Sequence, residues 1–78
     1  MDPLEQALEM ATWQAAVPGL AYGANSAIVK KWRDLVRSGQ PIGLPVTAEM
    51  PLPNGHVGQG FTSGRRLVWT GGDNVNVQ

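Results

Sequence analysis

Few residues in this chain could do chemistry. His56 is its one histidine, and Ser26, Ser38 and Ser63 are the serines that could act beside it. Acyl transfer needs serine and imidazole within hydrogen-bond reach, with a third group orienting the ring. His56 stands in Pro-Asn-Gly-His-Val-Gly, next to a turn, and the three serines read better as helix caps or turn formers. Glu49 could serve glycoside hydrolysis only with a second carboxylate at a set separation. Glu5 and Glu9 fall on a different element and read as solvated. The glycine-rich stretches Gly-Gln-Pro-Ile-Gly (39–43) and Gly-Gln-Gly-Phe-Thr-Ser-Gly (58–64) lack the lysine of a P-loop, and neither leads from strand into helix. No cysteine is present, so a disulfide framework and a thiolate metal site are excluded, and one histidine makes no imidazole cluster. The residue types point to no enzyme, no cofactor and no metal.

Charge narrows the partners. The formal net charge is zero over 78 residues, but Asp2, Glu5 and Glu9 are the only charges before Lys30. Most of the basic residues follow in two clusters, Lys30/Lys31/Arg33/Arg37 and Arg65/Arg66. Such a basic side could meet nucleic acid, with an affinity that falls steeply with salt. Neutral overall charge and the absence of a nucleic-acid motif make that the least favoured partner. No apolar run approaches the roughly 20 residues of a membrane helix, so no membrane partner is expected. The acidic start Met-Asp-Pro-Leu-Glu lacks the basic-then-apolar pattern of a secretory signal. Work outside a cell or facing its envelope would therefore need delivery by another protein or by a leader not in this chain.

The elements that must position these residues are short. Asp2-Pro3-Leu4-Glu5 is a helix start, with Asp2 as cap, Pro3 at the first helical position and Glu5 three residues after the cap. Leu4, Ala7, Leu8, Ala11 and Ala15 recur at helical spacing as one apolar stripe, and Pro18-Gly19 ends the helix. Trp13 is expected to pack between this helix and the rest. Gly19 to Asn25 is a connector. A second helix, capped by Asn25 or Ser26, runs to about Ser38 and stops at Gly39. Ile28, Trp32, Leu35 and Val36 form its inner face, and Lys30, Arg33 and Arg37 form another that reads as a solvated surface. After the proline-rich passage the period changes to two. His56–Phe61 and Arg65–Thr70 read as strands joined by Thr-Ser-Gly, with Gly64 at positive φ. The tail Asp73–Gln78 also alternates, as a further strand of the sheet or an edge for another chain.

One ordered set remains: Ile28, Lys31-Trp32, Ile-Gly-Leu-Pro (42–45), Glu49, Pro-Asn-Gly (53–55), Gln59, Phe61, Gly64, Leu67 and Trp69. In order and spacing it resembles the LGFP repeat, a module of actinobacterial envelope proteins and related secreted or phage-borne proteins. Gly43 and Pro45 match the motif that gives the family its name, Ile42 is a mild replacement, and Leu44 stands where the family has an aromatic residue. The resemblance covers about residues 27–70 in a single copy. It implies structural roles for Trp32, Gly43, Pro45, Glu49, Phe61 and Gly64. Glu49 is expected to bond the free backbone donors of the turn it enters.

The expected architecture is α+β: two short helices on a small antiparallel sheet or hairpin, joined by an ordered Pro/Gly-rich connector. Trp32, Leu35, Phe61, Leu67 and Trp69 are its packing residues. Residues 1–26 form the N-terminal helix and connector, 27–72 the LGFP-like module and 73–78 the tail. The resemblance implies a non-catalytic module attaching to cell-wall polysaccharide. An exposed aromatic face with amide or arginine neighbours would hold the sugar, and Trp69, Tyr22, Gln59, Asn54 and Arg66 are the candidates. The alternative is a small structural or adaptor protein of a virion or secreted assembly, working through homo-oligomer or other subunit contacts.

Overall fold

The computed structural model describes residues 2–20, 22–23 and 25–78. Of the expected connector, Ala21 and Ala24 lie outside the described residues, as does Met1. The chain forms a small α+β domain in which two helices accompany a four-stranded antiparallel sheet.

Helix α1 spans Pro3–Ala16. Asp2 caps it by accepting the Leu4 N–H at 2.8 Å, and Pro3 starts it with the φ a helix needs. Helix α2 spans Ala27–Arg37 and ends as the glycine at position 39 requires. Gly39 has φ 77°, its N–H donates to the Val36 carbonyl, and the Gln40 N–H reaches back to Leu35 at 2.9 Å. That pair of bonds is a Schellman ending, which satisfies carbonyls the helix leaves open.

Strands β1 (Met50–Pro51), β2 (Val57–Gly60), β3 (Arg66–Gly71) and β4 (Asn74–Val77) follow in a meander, each pairing with the next. Asn54 and Gly55 turn the β1–β2 connection with φ 66° and 76°. Two successive positive φ values match the right-handed twist of the strands on either side. The expected tail strand is therefore part of the sheet, pairing Val77 with Leu67 and Val75 with Trp69. Strand β1 was not anticipated, because Pro51 sits in it; as a two-residue edge strand it needs few donors.

The core lies between α2 and one face of the sheet, where Ile28, Val29 and Leu35 meet Leu67 with Trp69, Val57, Val75 and Val77 packed around them. Trp13 joins this core from α1 and is 2% exposed. Its ring meets those of Tyr22, Trp32 and Phe61 edge-on, with centroids 6.1, 5.4 and 5.8 Å away. Such geometry sets the positive ring edge against a negative face. Trp13 does pack between the first helix and the rest.

One expectation about a helix face fails. On α2, Val29 is buried and Val36 is exposed, so the inner face is rotated from Ile28/Trp32/Leu35/Val36 toward Ile28/Val29/Leu35. On α1 the apolar stripe is not the docking face. The stripe Leu4, Ala7, Leu8, Ala11 and Ala15 faces solvent, and Trp13 is the one buried residue of the helix. Trp13 lies about half a turn round the helix from that stripe, so a single large ring decided the docking face over several smaller groups.

Candidate functional site

The proline-rich passage is pinned at both ends. Trp32 Nε1 donates to the Gly43 carbonyl at 2.7 Å, tying α2 to the Ile-Gly-Leu-Pro turn. Leu44 then pairs with Thr62 through backbone and hydroxyl bonds, and Pro45 sits opposite Phe61. Further on, the Gln59 amide donates to the Thr47 carbonyl at 2.9 Å, and the Thr47 hydroxyl accepts the Gly60 N–H. The passage thus runs antiparallel to β2 and leads Glu49 back to the start of α2.

There Glu49 accepts a hydrogen bond from the Ser26 hydroxyl at 3.0 Å. This corrects the expectation that Glu49 satisfies turn N–H groups. It also leaves Ser26 as the N-cap residue of α2 without a side-chain cap bond, because its hydroxyl is engaged elsewhere. A carboxylate beside a helix N-terminus is favourably placed against the dipole.

Between this corner and the sheet lies an open cleft of about 600 Å³. Ile28, Val57, Pro51 and Trp69 make its apolar wall, and Asn25, Lys30, Glu49 and Asp73 bring polar groups around it. The wall follows from register: Pro51 pairs with Val57, Val57 with Trp69, and Trp69 with Val75, so these residues form one row across the sheet. A bulge after Trp69 and the turn at Gly72-Asp73 bring a carbonyl within reach of the ring, and Trp69 Nε1 donates to the Gly72 oxygen at 2.8 Å. The indole is thereby held half-buried in one orientation.

Of the five candidate binding residues, Trp69 alone lines this cleft. Arg66 is three residues earlier on the same strand and exposed, so the two-residue period puts it on the other face of the sheet. Asn54 is exposed at the tip of the β1–β2 turn. Gln59 is 1% exposed and belongs to the interior, with its Oε1 lacking a hydrogen-bond partner. Tyr22 packs edge-on against Trp13, and its buried hydroxyl stands beside the Glu9–Arg33 pair without forming a well-aligned bond to either. Burial first, and then the Glu9 carboxylate, push its pKa above the ordinary tyrosine value. Asn25 and Asp73 were not singled out as binding residues, and Lys30 was named only among the cations for nucleic acid. A cap position, a helix surface and a turn carry no sequence signal that they converge.

The basic stripe on α2 is not a free solvated surface. Arg33 holds Glu9 of α1 by two bonds, Nε to Oε2 at 3.1 Å and Nη2 to Oε1 at 3.0 Å, and both side chains are largely buried. Arg37 approaches Glu5 at 3.6 Å with both groups exposed. Glu5 and Glu9 are therefore not merely solvated: they face α2, one turn apart, opposite two arginines one turn apart. The Glu9 bond raises the Arg33 pKa. Two of the six cations proposed for nucleic acid are engaged by carboxylates in this way.

Among the described residues no group of three or more His, Cys, Asp or Glu could hold a metal ion, and no helix is long and apolar enough to cross a membrane. The class of protein that fold and site define is a small α+β domain with an apolar-walled, polar-rimmed cleft at a helix–sheet corner. Compared with family models, curated proteins and solved structures, the chain has no match in any of the three.

Proposed function

We propose that the chain is a non-catalytic binding module that holds a cell-wall polysaccharide in the α2–sheet cleft, in the manner its resemblance to the LGFP repeat implies. The observation that carries this reading is the Trp69 ring, fixed by its bond to Gly72 and half-open to the cleft. A sugar ring offers a flat C–H face to an aromatic side chain and hydroxyls to polar neighbours. Asn25, Lys30, Glu49 and Asp73 supply both donors and acceptors for those hydroxyls. The cleft's size falls within the range of about 300–1,000 Å³ usual for small-ligand sites, as does its mix of apolar wall and few polar groups. Glu49 is already engaged by Ser26, and His56 does not line the cleft. On this reading the module works at a cell envelope and carries no cofactor.

The test is sedimentation of the purified chain with isolated mycolate-type walls at low and high salt. Salt-resistant pelleting that Trp69→Ala or Lys30→Ala weakens supports the reading. A chain that stays in the supernatant with the walls refutes it.

A second reading, a structural or adaptor protein of a virion or secreted assembly, draws on a different observation. Helix α1 leaves Leu4 66% and Leu8 61% exposed. A subunit contact would use such an exposed apolar strip.

A further inference from the structure

We propose that the ligand of the α2–sheet cleft is a neutral saccharide bound over at least two consecutive units, one on Trp69 and the next in a second pocket lined by Lys31 and Asp34. This rests on the reading of the cleft as a saccharide site and gives that ligand a length and a charge.

The cleft does not end at Trp69. Beside it lies a pocket of about 210 Å³, and the two share Ala27, Lys30 and Asp73. Lys31 and Asp34 line the second pocket and not the first. The sharing follows from the fold. Lys30 and Lys31 are neighbours on α2, and Asp34 comes about one turn later. Asp73 stands in the turn between β3 and β4, next to the Gly72 carbonyl that holds the Trp69 ring. One groove therefore runs from Trp69, past Lys30 and Asp73, along α2 to Lys31 and Asp34.

The charges along this groove are unpaired. Two ammonium groups and two carboxylates line the second pocket, yet among the described residues none of these four side chains is in an ion pair or a hydrogen bond. Lys30 and Asp34 are four residues apart on a helix, the spacing at which opposite charges usually meet. Their order is the weaker one, with the cation nearer the N-terminus, and here they stay apart. Arg33 and Arg37 of the same helix, by contrast, each reach a carboxylate of α1. The four groups at the pocket keep their donors and acceptors available.

Those groups select the chemistry of the ligand. A sugar hydroxyl both donates and accepts, so adjacent hydroxyls can bond an ammonium and a carboxylate at once. The two positive and two negative charges balance, so a unit with net charge would meet repulsion from one pair along with attraction from the other. Trp69 supplies a stacking face in the cleft, whereas the second pocket has no aromatic ring. One unit is thus held by its flat face and the next by its hydroxyls. A ligand that links the two gains affinity over either unit alone, because the second contact forms within an already bound molecule.

The test uses the same wall-pelleting assay at high salt. The competitors are neutral oligosaccharides released from the walls by partial acid hydrolysis and sorted by length. Di- and trisaccharide fractions should displace the chain at concentrations at least about 10-fold lower than the monosaccharide fraction. Lys31→Ala and Asp34→Ala should each shrink that ratio and weaken pelleting. Neither residue belongs to the core or lines the Trp69 cleft, so each variant should unfold at the native temperature. The two substitutions change the charge of the chain in opposite directions, and general attraction to a charged wall would move their pelleting in opposite directions too. Arg66→Ala, a cation lost from the other face of the sheet, should change nothing.

Monosaccharides that compete as well as the longer fractions overturn the proposal. So does pelleting that Trp69→Ala weakens while Lys31→Ala and Asp34→Ala leave it native. In both cases the saccharide reading of the cleft still stands. Opposite effects of the two charge variants also overturn the proposal, and a native chain that does not pellet removes it together with that reading.

Discussion

The indole N–H of Trp32 ends on the carbonyl oxygen of Gly43, 2.7 Å away. Through that bond a helix residue holds a glycine whose φ is +90°, in the turn that opens the proline-rich passage. The turn is also closed from the other side. A Cβ on Gly43 would collide with Thr62 Oγ1, the hydroxyl that accepts the Leu44 N–H.

Gly43→Val is therefore expected to destabilise the fold by more than about 1 kcal/mol, through positive φ and collision together. Gly64→Ala is the comparison, since Gly64 has φ +85° and open space around its missing Cβ. It should lose only the conformational part, about 1 kcal/mol. Urea denaturation of both variants separates the two effects. Equal losses would show that the contact with Thr62 contributes nothing.

The two inter-helix ion pairs should differ in worth. Arg37 and Glu5 are both 60% exposed, and Glu5→Gln is expected to change stability by less than about 0.5 kcal/mol. Arg33 and Glu9 are 15% and 9% exposed, and Glu9→Gln leaves a largely buried guanidinium without its carboxylate. A loss of about 2 kcal/mol is expected, below the 3–5 of a fully buried pair. Chemical denaturation of each single variant checks the order, and similar values for the two would contradict it.

Tyr22 makes stability fall in alkali. Its pKa is higher in the folded chain than in the unfolded one, because burial disfavours the phenolate and Glu9 repels it. As pH rises the unfolded chain loses the phenolic proton first. The stabilisation is then complete below about pH 10 and is lost as pH climbs from there through the folded-state value. The melting temperature should drop more steeply above pH 10 in the native chain than in Tyr22→Phe. As Tyr22 is the one tyrosine present, absorbance titration reads its ionisation directly. A Tyr22→Phe chain with the same alkaline profile would refute the assignment.

Gln59 and Trp69 should separate stability from binding. Gln59→Ala removes a buried side chain bonded to the Thr47 carbonyl and is expected to cost about 1–3 kcal/mol. Wall binding measured well below its melting temperature should not change. Trp69→Ala should weaken wall binding about 10-fold or more, equivalent to about 1.4 kcal/mol. Parallel unfolding and pelleting experiments read both effects, and a Gln59→Ala chain that remains stable but fails to pellet would move the site into the interior.

Much of the fold was legible because it is local. Asp2-Pro3 starts α1, Gly39 ends α2, Thr-Ser-Gly with Gly64 at positive φ turns the β2–β3 hairpin, and alternation in Arg65–Thr70 makes a strand, each through backbone chemistry that a few neighbouring residues dictate. The site was less legible, since its parts lie far apart in the chain. Trp69 was found as an aromatic residue on a strand, but Arg66 was lost to the other face by the two-residue period. Asn25, Lys30 and Asp73 meet only because β1 carries the chain back to the start of α2 and the β3–β4 turn lies alongside.

Helix α1 marks the boundary between the two kinds of information. Its sequence determined that it is a helix, where it begins, and that Leu4, Leu8, Ala11 and Ala15 share one side. Tertiary structure decided that this side faces out. One indole docking among Tyr22, Trp32 and Phe61, with Arg33 clasping Glu9, outweighs a stripe of two leucines and several alanines. Burial of a large ring yields more than burial of small side chains. Periodicity records only which residues lie together, and the shape of the surface they meet decides which of them is buried.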